Sequence, residues 1–229
     1  MRIHALPRRN AGFTLVEIAI VLVIIGLLLG GILKGQEMIV QAKIKNTISD
    51  FNGVLAAYNG YLDRYRALPG DDLAATRWTG GQAGDGDAII EGAYQTSNDA
   101  DESRMLWQHM RLAGFIPGQG FAQPTNAHNG ILGVQTGDGA GGVTLAAAAA
   151  AGPPALPAVS GFGGVLLCAS QVPDKVAIAI DNQTDDGQSR SGQVRARATP
   201  GNAAIGNGIE AEANYVETGT TTYVVCRSL

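Results

Sequence analysis

The sequence predicts an α+β protein, with one long amino-terminal α-helix packed on a carboxy-terminal antiparallel β-sheet. Three observations carry this expectation. No proline interrupts the chain from Phe13 to Ala67. That stretch begins uniformly apolar and then turns periodic, as a helix does when it leaves one environment for another. Short, partly alternating segments follow toward the carboxy terminus, where the chain reads as strands and turns.

Composition narrows the function classes. Lys and Arg number 16 against 20 Asp and Glu in 229 residues, a formal net charge of −4. Charged residues make up 16% of the chain, below the roughly 25% of ordinary usage, so neither a charged disordered tail nor a coiled-coil rod is indicated. No basic excess offers the footprint that nucleic-acid binding by counterion release requires.

Phe13 to Leu33 contains a single ionisable side chain, Glu17. As a helix this segment spans the roughly 30 Å of a bilayer core. Arg2, Arg8 and Arg9 precede it with no acid among residues 1–12, so the positive-inside rule places that end in the cytoplasm and the bulk of the chain across the membrane. A cleavable secretory signal would have a shorter apolar run and a small-residue cleavage site. A plain anchor accounts for the run but not for Glu17, because an acid at that depth is costly and calls for a partner.

The string RRNAG followed by FTLVEIAIVLVIIGLLLGGI closely resembles the amino terminus of type IV pilins and the pseudopilins of type II secretion. Gly12, Phe13 and Glu17 match the family pattern one by one. The resemblance implies a leader over residues 1–12 that a prepilin peptidase cuts between Gly12 and Phe13. It implies methylation of the Phe13 amine, and pairing of Glu17 with the terminal amine of a neighbouring subunit. Residues 13–33 are then a transmembrane and assembly helix in the inner membrane. The amino terminus is cytoplasmic, and the head lies in a periplasmic or extracellular filament. The implied partners are other pilin subunits, the peptidase, an inner-membrane assembly platform and the membrane itself; nucleic acid is not indicated. Loss of the leader arginines leaves 13 basic against 20 acidic side chains, a net of −7.

Beyond Leu33 the apolar residues Ile44, Ile48, Phe51, Leu55, Tyr58, Leu62 and Tyr65 recur at alternating spacings of four and three. This predicts an amphipathic continuation over 34–67. A coiled-coil seam is the rival explanation, but Gly53, Gly60 and a sparse charge pattern favour packing on a sheet. Pro69 and Gly70 end the helix.

The head, 68–229, opens with a turn-rich loop over 67–92. A helix is expected at about 98–114, capped by Asn98 or Asp99 and carrying Met105, Leu106 and Met110. The set LPGDD, GDGD and a Trp-containing helix ending LAGFI is similar to one that recurs in prepilin-type proteins. Residues 137–164 are low-complexity Gly, Ala and Pro, read as a loop. Strands are expected at 164–169, 175–180, 193–198 and 221–227.

Asp85 and Asp87 on a Gly-rich loop could supply oxygens to Ca²⁺, and Asp181 and Asp185, with Asp186, form a second such set. Some pseudopilins bind calcium, though elsewhere in their sequence; the alternative is that these acids simply build turns. No cofactor is required. Cys168 and Cys226, in an exported head, point to a disulfide, with two buried thiols as the alternative. His109 and His128 sit in no catalytic motif, so no enzyme is expected. The favoured reading is a minor pilin or pseudopilin. The alternatives are a major pilin, or a filament-tip adhesin or DNA-binding pilin using Arg190, Arg195 and Arg197.

Overall fold

A computed structural model describes residues 14–137, 164–203, 205 and 214–229. Helix α1 runs from Leu15 to Tyr65. Its first part falls in one unit, ending at Ala42, and its remainder in a second compact unit from Lys43 to Leu229. In the first unit every residue from Thr14 to Lys34 is exposed. By length and composition, α1 can cross a membrane. Arg66 terminates α1 in the left-handed region (φ 55°), with its N–H donating to the Leu62 carbonyl at 2.9 Å. The stop thus falls three residues before Pro69.

The second unit is built around the carboxy-terminal half of α1. Helix α2 (Glu102–Leu112) follows a loop containing a 3₁₀ turn at Ala75–Arg77. Strands β1 (Leu132–Gly137) and β2 (Gly164–Pro173), helix α3 (Asp174–Thr184), and strands β3 (Val194–Ala198) and β4 (Thr222–Ser228) complete it. The sheet order is β1-β2-β4-β3 and every pairing is antiparallel.

The sheet has two buried faces. On one, Leu132, Val134, Leu167, Ala169, Val225 and Ala196 pack with Phe51, Tyr58 and Tyr61 of α1 and Leu106, Trp107 and Met110 of α2. Val176, Ala177 and Ile180 of α3 join the same core. On the other face, Leu166, Cys168, Val224 and Cys226 pack with Tyr94 and Ile205. Strand alternation sends successive residues to these two cores. Arg195 and Arg197 fall together on the second face, as alternation predicts.

Both sheet edges are covered. Along β1 the Thr136 N–H donates to the Ile90 carbonyl (3.4 Å), and the Tyr94 N–H to Gln135 Oε1 (3.1 Å). A Cβ at Gly133 would collide with the Tyr94 carbonyl oxygen, so this close approach requires glycine. Along β3 the Ala196 N–H donates to the Ser189 carbonyl (3.0 Å) and the Val194 N–H to Asp185 Oδ2 (2.7 Å). Neither edge is left as a template for strand addition.

Three expectations need correction. Residues 175–180 form α3 rather than a strand. VAIAI looks alternating, yet Asp174, Val176, Ala177, Ile180 and Asp181 are the buried set, which is helical spacing. Pro173 at the cap and Asp174 in the first turn start the helix. The helix stripe is also rotated: Ile44, Thr47, Phe51, Val54, Ala57, Tyr58 and Tyr61 are buried, while Ile48, Leu62 and Tyr65 pack only partly against the core. Small Thr47 and Ala57 allow the close approach. Helix α2 starts at Glu102 with Asp101 at its cap, not Asn98 or Asp99. Asp101 instead accepts hydrogen bonds from Thr96 (2.6 Å) and Asn98 (2.6 Å), so the upstream residues brace the cap position. The low-complexity stretch lies outside the described residues, but its flanks, Gly137 and Gly164, are register partners.

Cys168 and Cys226 are register partners on β2 and β4 and are joined as a disulfide. Closing a loop of 58 positions is worth up to about 4 kcal/mol in the chain-entropy argument. Replacing both cysteines with alanine is expected to lower the denaturation midpoint by a loss of that order. An unchanged midpoint in denaturant titrations would contradict it.

Candidate functional site

The first functional side chain lies at the start of α1. Thr14 precedes the helix and Glu17 is its third residue. Glu17 Oε2 accepts from the Thr14 N–H (2.8 Å) and from the Thr14 hydroxyl (2.8 Å). The Glu17 N–H donates to Thr14 Oγ1 at 3.3 Å. This reciprocal arrangement is a capping box, which satisfies orphan amides at a helix start. The carboxylate also sits at the positive end of the helix dipole. Thr14 and Glu17 are both exposed, on a helix whose neighbouring surface is Leu15, Val16, Ile18 and Ile20. Glu17 is therefore held in one orientation on an otherwise apolar surface. The T-x-x-E spacing was available in the sequence as the signal for the part Thr14 plays. Gly12 and Phe13 lie outside the described residues.

The head gathers its acids in loops. Asp71, Asp85 and Glu102 bring ligand atoms within 4.8 Å of one another, and so do Asp85, Asp87 and Glu91, and Asp181, Asp185 and Asp186. Sequence reasoning named Asp85, Asp87, Asp181, Asp185 and Asp186, with Asp71 upstream of the first set; Glu91 and Glu102 join them only through the fold. The loops' own donors already use many of these oxygens. Asp71 accepts from the N–H groups of Gly86 and of Ala88 (2.8 Å for Ala88). Asp87 accepts from Ile89 (2.8 Å), and Asp181 from Tyr215 (2.6 Å) and Gly187 (2.9 Å). An ion taking 6–8 oxygens would find three carboxylate oxygens in each set and need carbonyls and water for the rest.

Glu102 is buried, 6% exposed, as Asp71 and Asp181 also are. Its oxygens accept from the Asp85 N–H (3.1 Å) and the Glu91 N–H (3.4 Å). Burial, reinforced by a hydrogen bond with the Glu91 carboxyl, pushes its pKa up to about 8. The cations are tied in too. Arg195 donates from Nε to the Gly192 carbonyl (3.2 Å), and Arg197 to the Ile205 carbonyl (3.3 Å).

Residues 7–33 match the family described as the prokaryotic N-terminal methylation motif. That match is the prepilin signature of type IV pilins and pseudopilins. It covers Gly12, Phe13 and Glu17 in one block. No curated protein and no solved structure matches the chain significantly. The signature and the exposed apolar half of α1 fit a subunit anchored in a membrane and assembled with other pilin-type subunits.

Two measurements on the full chain in detergent probe the head. Glu102 has its folded pKa raised from 4.5 to about 8. Its stabilising contribution is therefore complete below about pH 4.5 and declines as pH rises toward about 8. Relative to Glu102→Gln, the wild type is expected to lose stability across that window and to level off above it; parallel curves would refute the assignment. Calcium filling either acidic loop would raise the melting temperature of metal-stripped protein. An unchanged melting temperature at millimolar calcium would remove all three sets as ion sites.

Proposed function

We propose that this chain is a structural subunit of a type IV pilus-like or type II secretion pseudopilus filament. A prepilin peptidase cuts it between Gly12 and Phe13, the new Phe13 amine is methylated, and the subunit enters the filament through α1. The observation that carries this reading is one carboxylate, Glu17, oriented by Thr14 on an apolar stretch of helix that is exposed from Thr14 to Lys34. That stretch is stable only in a bilayer or against like helices. A subunit already in the fibre offers a terminal amine. Two charges that are each costly in an apolar medium become tolerable when paired in good geometry. The pair then fixes axial register more than it adds net stability.

Within this class a minor pilin or pseudopilin is the favoured assignment. The head is long, and it carries an Ala, Gly and Pro-rich stretch between the paired ends Gly137 and Gly164. Recovery of a secretion ATPase and secretin with the protein supports the pseudopilin branch. A retraction motor and other pilus parts support the pilus branch.

Amino-terminal sequencing of filament-purified protein is expected to begin at methylated Phe13. Glu17→Ala is expected to insert and be cleaved normally but to enter filaments at least tenfold less often, counted by immunogold labelling. Material beginning at Met1, or wild-type incorporation of the variant, overturns the proposal.

A further inference from the structure

The segment from Gly70 to Gln82 lies on α2 and is held there by His109, which has no exposed surface. Nδ1 of the ring accepts from the Gly70 N–H at 2.9 Å, and Nε2 contacts the Gln82 carbonyl at 2.7 Å. A carbonyl can only accept, so Nε2 carries the proton and Nδ1 is bare. One neutral imidazole thus bridges two backbone positions on the same segment. Gln108 adds two bonds beside it, accepting from the Gln82 N–H (3.3 Å) and donating to the Gly80 carbonyl (2.9 Å).

The segment closes over aromatic surface. Tyr61 stacks on His109 with ring centroids 6.3 Å apart. Tyr65 meets the Trp78 ring edge-on at 5.2 Å, and the Arg77 guanidinium lies 4.8 Å from the Tyr65 ring and 4.7 Å from that of Trp78. Gly70 comes so near α2 that a Cβ would lie 2.7 Å from the Glu102 carbonyl oxygen. A side chain at this position would keep the turn from seating on α2.

A second proton on His109 has no acceptor. It would sit on Nδ1 and point at the Gly70 N–H, donor against donor. The charges facing the ring do not relieve this. Asp72 and Arg77 are ion-paired with each other at 2.9 Å, and the Tyr61 hydroxyl donates to Asp72 at 2.6 Å. Asp71 is turned to the Gly86 and Ala88 amides. Glu102, two turns earlier on α2, is occupied by the Asp85 and Glu91 amides. Strand β1, packed on α2, carries no ionisable residue.

We propose that His109 is a proton-operated latch: its neutral ring keeps the Gly70–Gln82 segment shut on α2, and a proton on Nδ1 releases that segment and bares Tyr61, Tyr65 and Trp78. This is a local opening of a clasp and not an unfolding of the sheet. Burial acts in the same direction, lowering the affinity of the ring for a proton. A group whose folded pKa is depressed below about 6.5 costs the closed state as pH falls beneath that value. Glu102 works with the opposite sign, and its amide partners, Asp85 and Glu91, lie outside the 70–82 segment. The latch does not depend on filament assembly.

Hydrogen–deuterium exchange on the full chain in detergent, corrected for intrinsic rates, tests it. Protection of peptides within 70–82 is expected to fall about tenfold per pH unit below about 6.5 and then to level, while peptides from β2 and β4 keep theirs. His109→Asn places a non-titrating oxygen where Nδ1 sits; its protection is expected to be lower at pH 7 and flat with pH. His128→Asn is expected to keep the wild-type profile. Protection in 70–82 that does not change with pH, a slope that survives His109→Asn or disappears in His128→Asn, or simultaneous loss in β2 and β4 overturns the latch.

Discussion

A carboxylate on an apolar helix is the constraint from which the rest follows. Glu17 cannot stay ionised in hydrocarbon without a partner, and the surface around it cannot stay in water without cover. Within one chain Thr14 meets the first difficulty through two hydrogen bonds to the carboxylate. Nothing within the described part of the chain meets the second, because Thr14 to Lys34 is exposed throughout. The amino-terminal half of α1 is thus complete only in company, and its length and composition suit a bilayer. The prepilin signature falls over these same residues.

The other half of α1 answers a different demand. From Ile44 onward it serves as the scaffold on which a sheet and two helices condense, burying Phe51, Tyr58 and Tyr61. The sheet is buried on its second face as well, around Cys168 and Cys226, so a polar side chain there needs a partner, as Arg197 has in the Ile205 carbonyl. Loops carry most of the chemistry. They are held by carboxylates accepting backbone N–H groups, as Asp174 accepts from Thr218 (2.7 Å) and Gly219 (2.6 Å). Such acids do the work that strands and helices leave undone in a glycine-rich head.

Much of this was legible in the sequence, for identifiable reasons. The helix announced itself by length, by lack of proline and by a change of period, signals that act over many residues and average out local noise. Glu17 stood out because it was the one charge in its stretch. Segments of five or six residues gave less. VAIAI fits strand and helix alike, and only the Pro173–Asp174 start distinguishes them. Strand β1, LGVQTG, has two glycines and one valine, and it is a strand because Tyr94 and β2 lie beside it. The partners of Asp85 were invisible, since Asp71 and Glu102 reach it only when the loop closes over α2. Contacts between distant positions leave no periodic trace.

The pairing of Gly137 with Gly164 has a practical consequence for anyone wishing to label or re-engineer this molecule. The two strands that flank the low-complexity stretch end side by side, so the register of the hairpin is set before that stretch begins and resumed after it ends. Closure entropy grows only slowly with the length of an intervening segment, roughly 0.6 kcal/mol per doubling. A peptide epitope or fluorophore acceptor spliced into the stretch therefore costs little in closure entropy, and the β1–β2 register does not have to change to admit it.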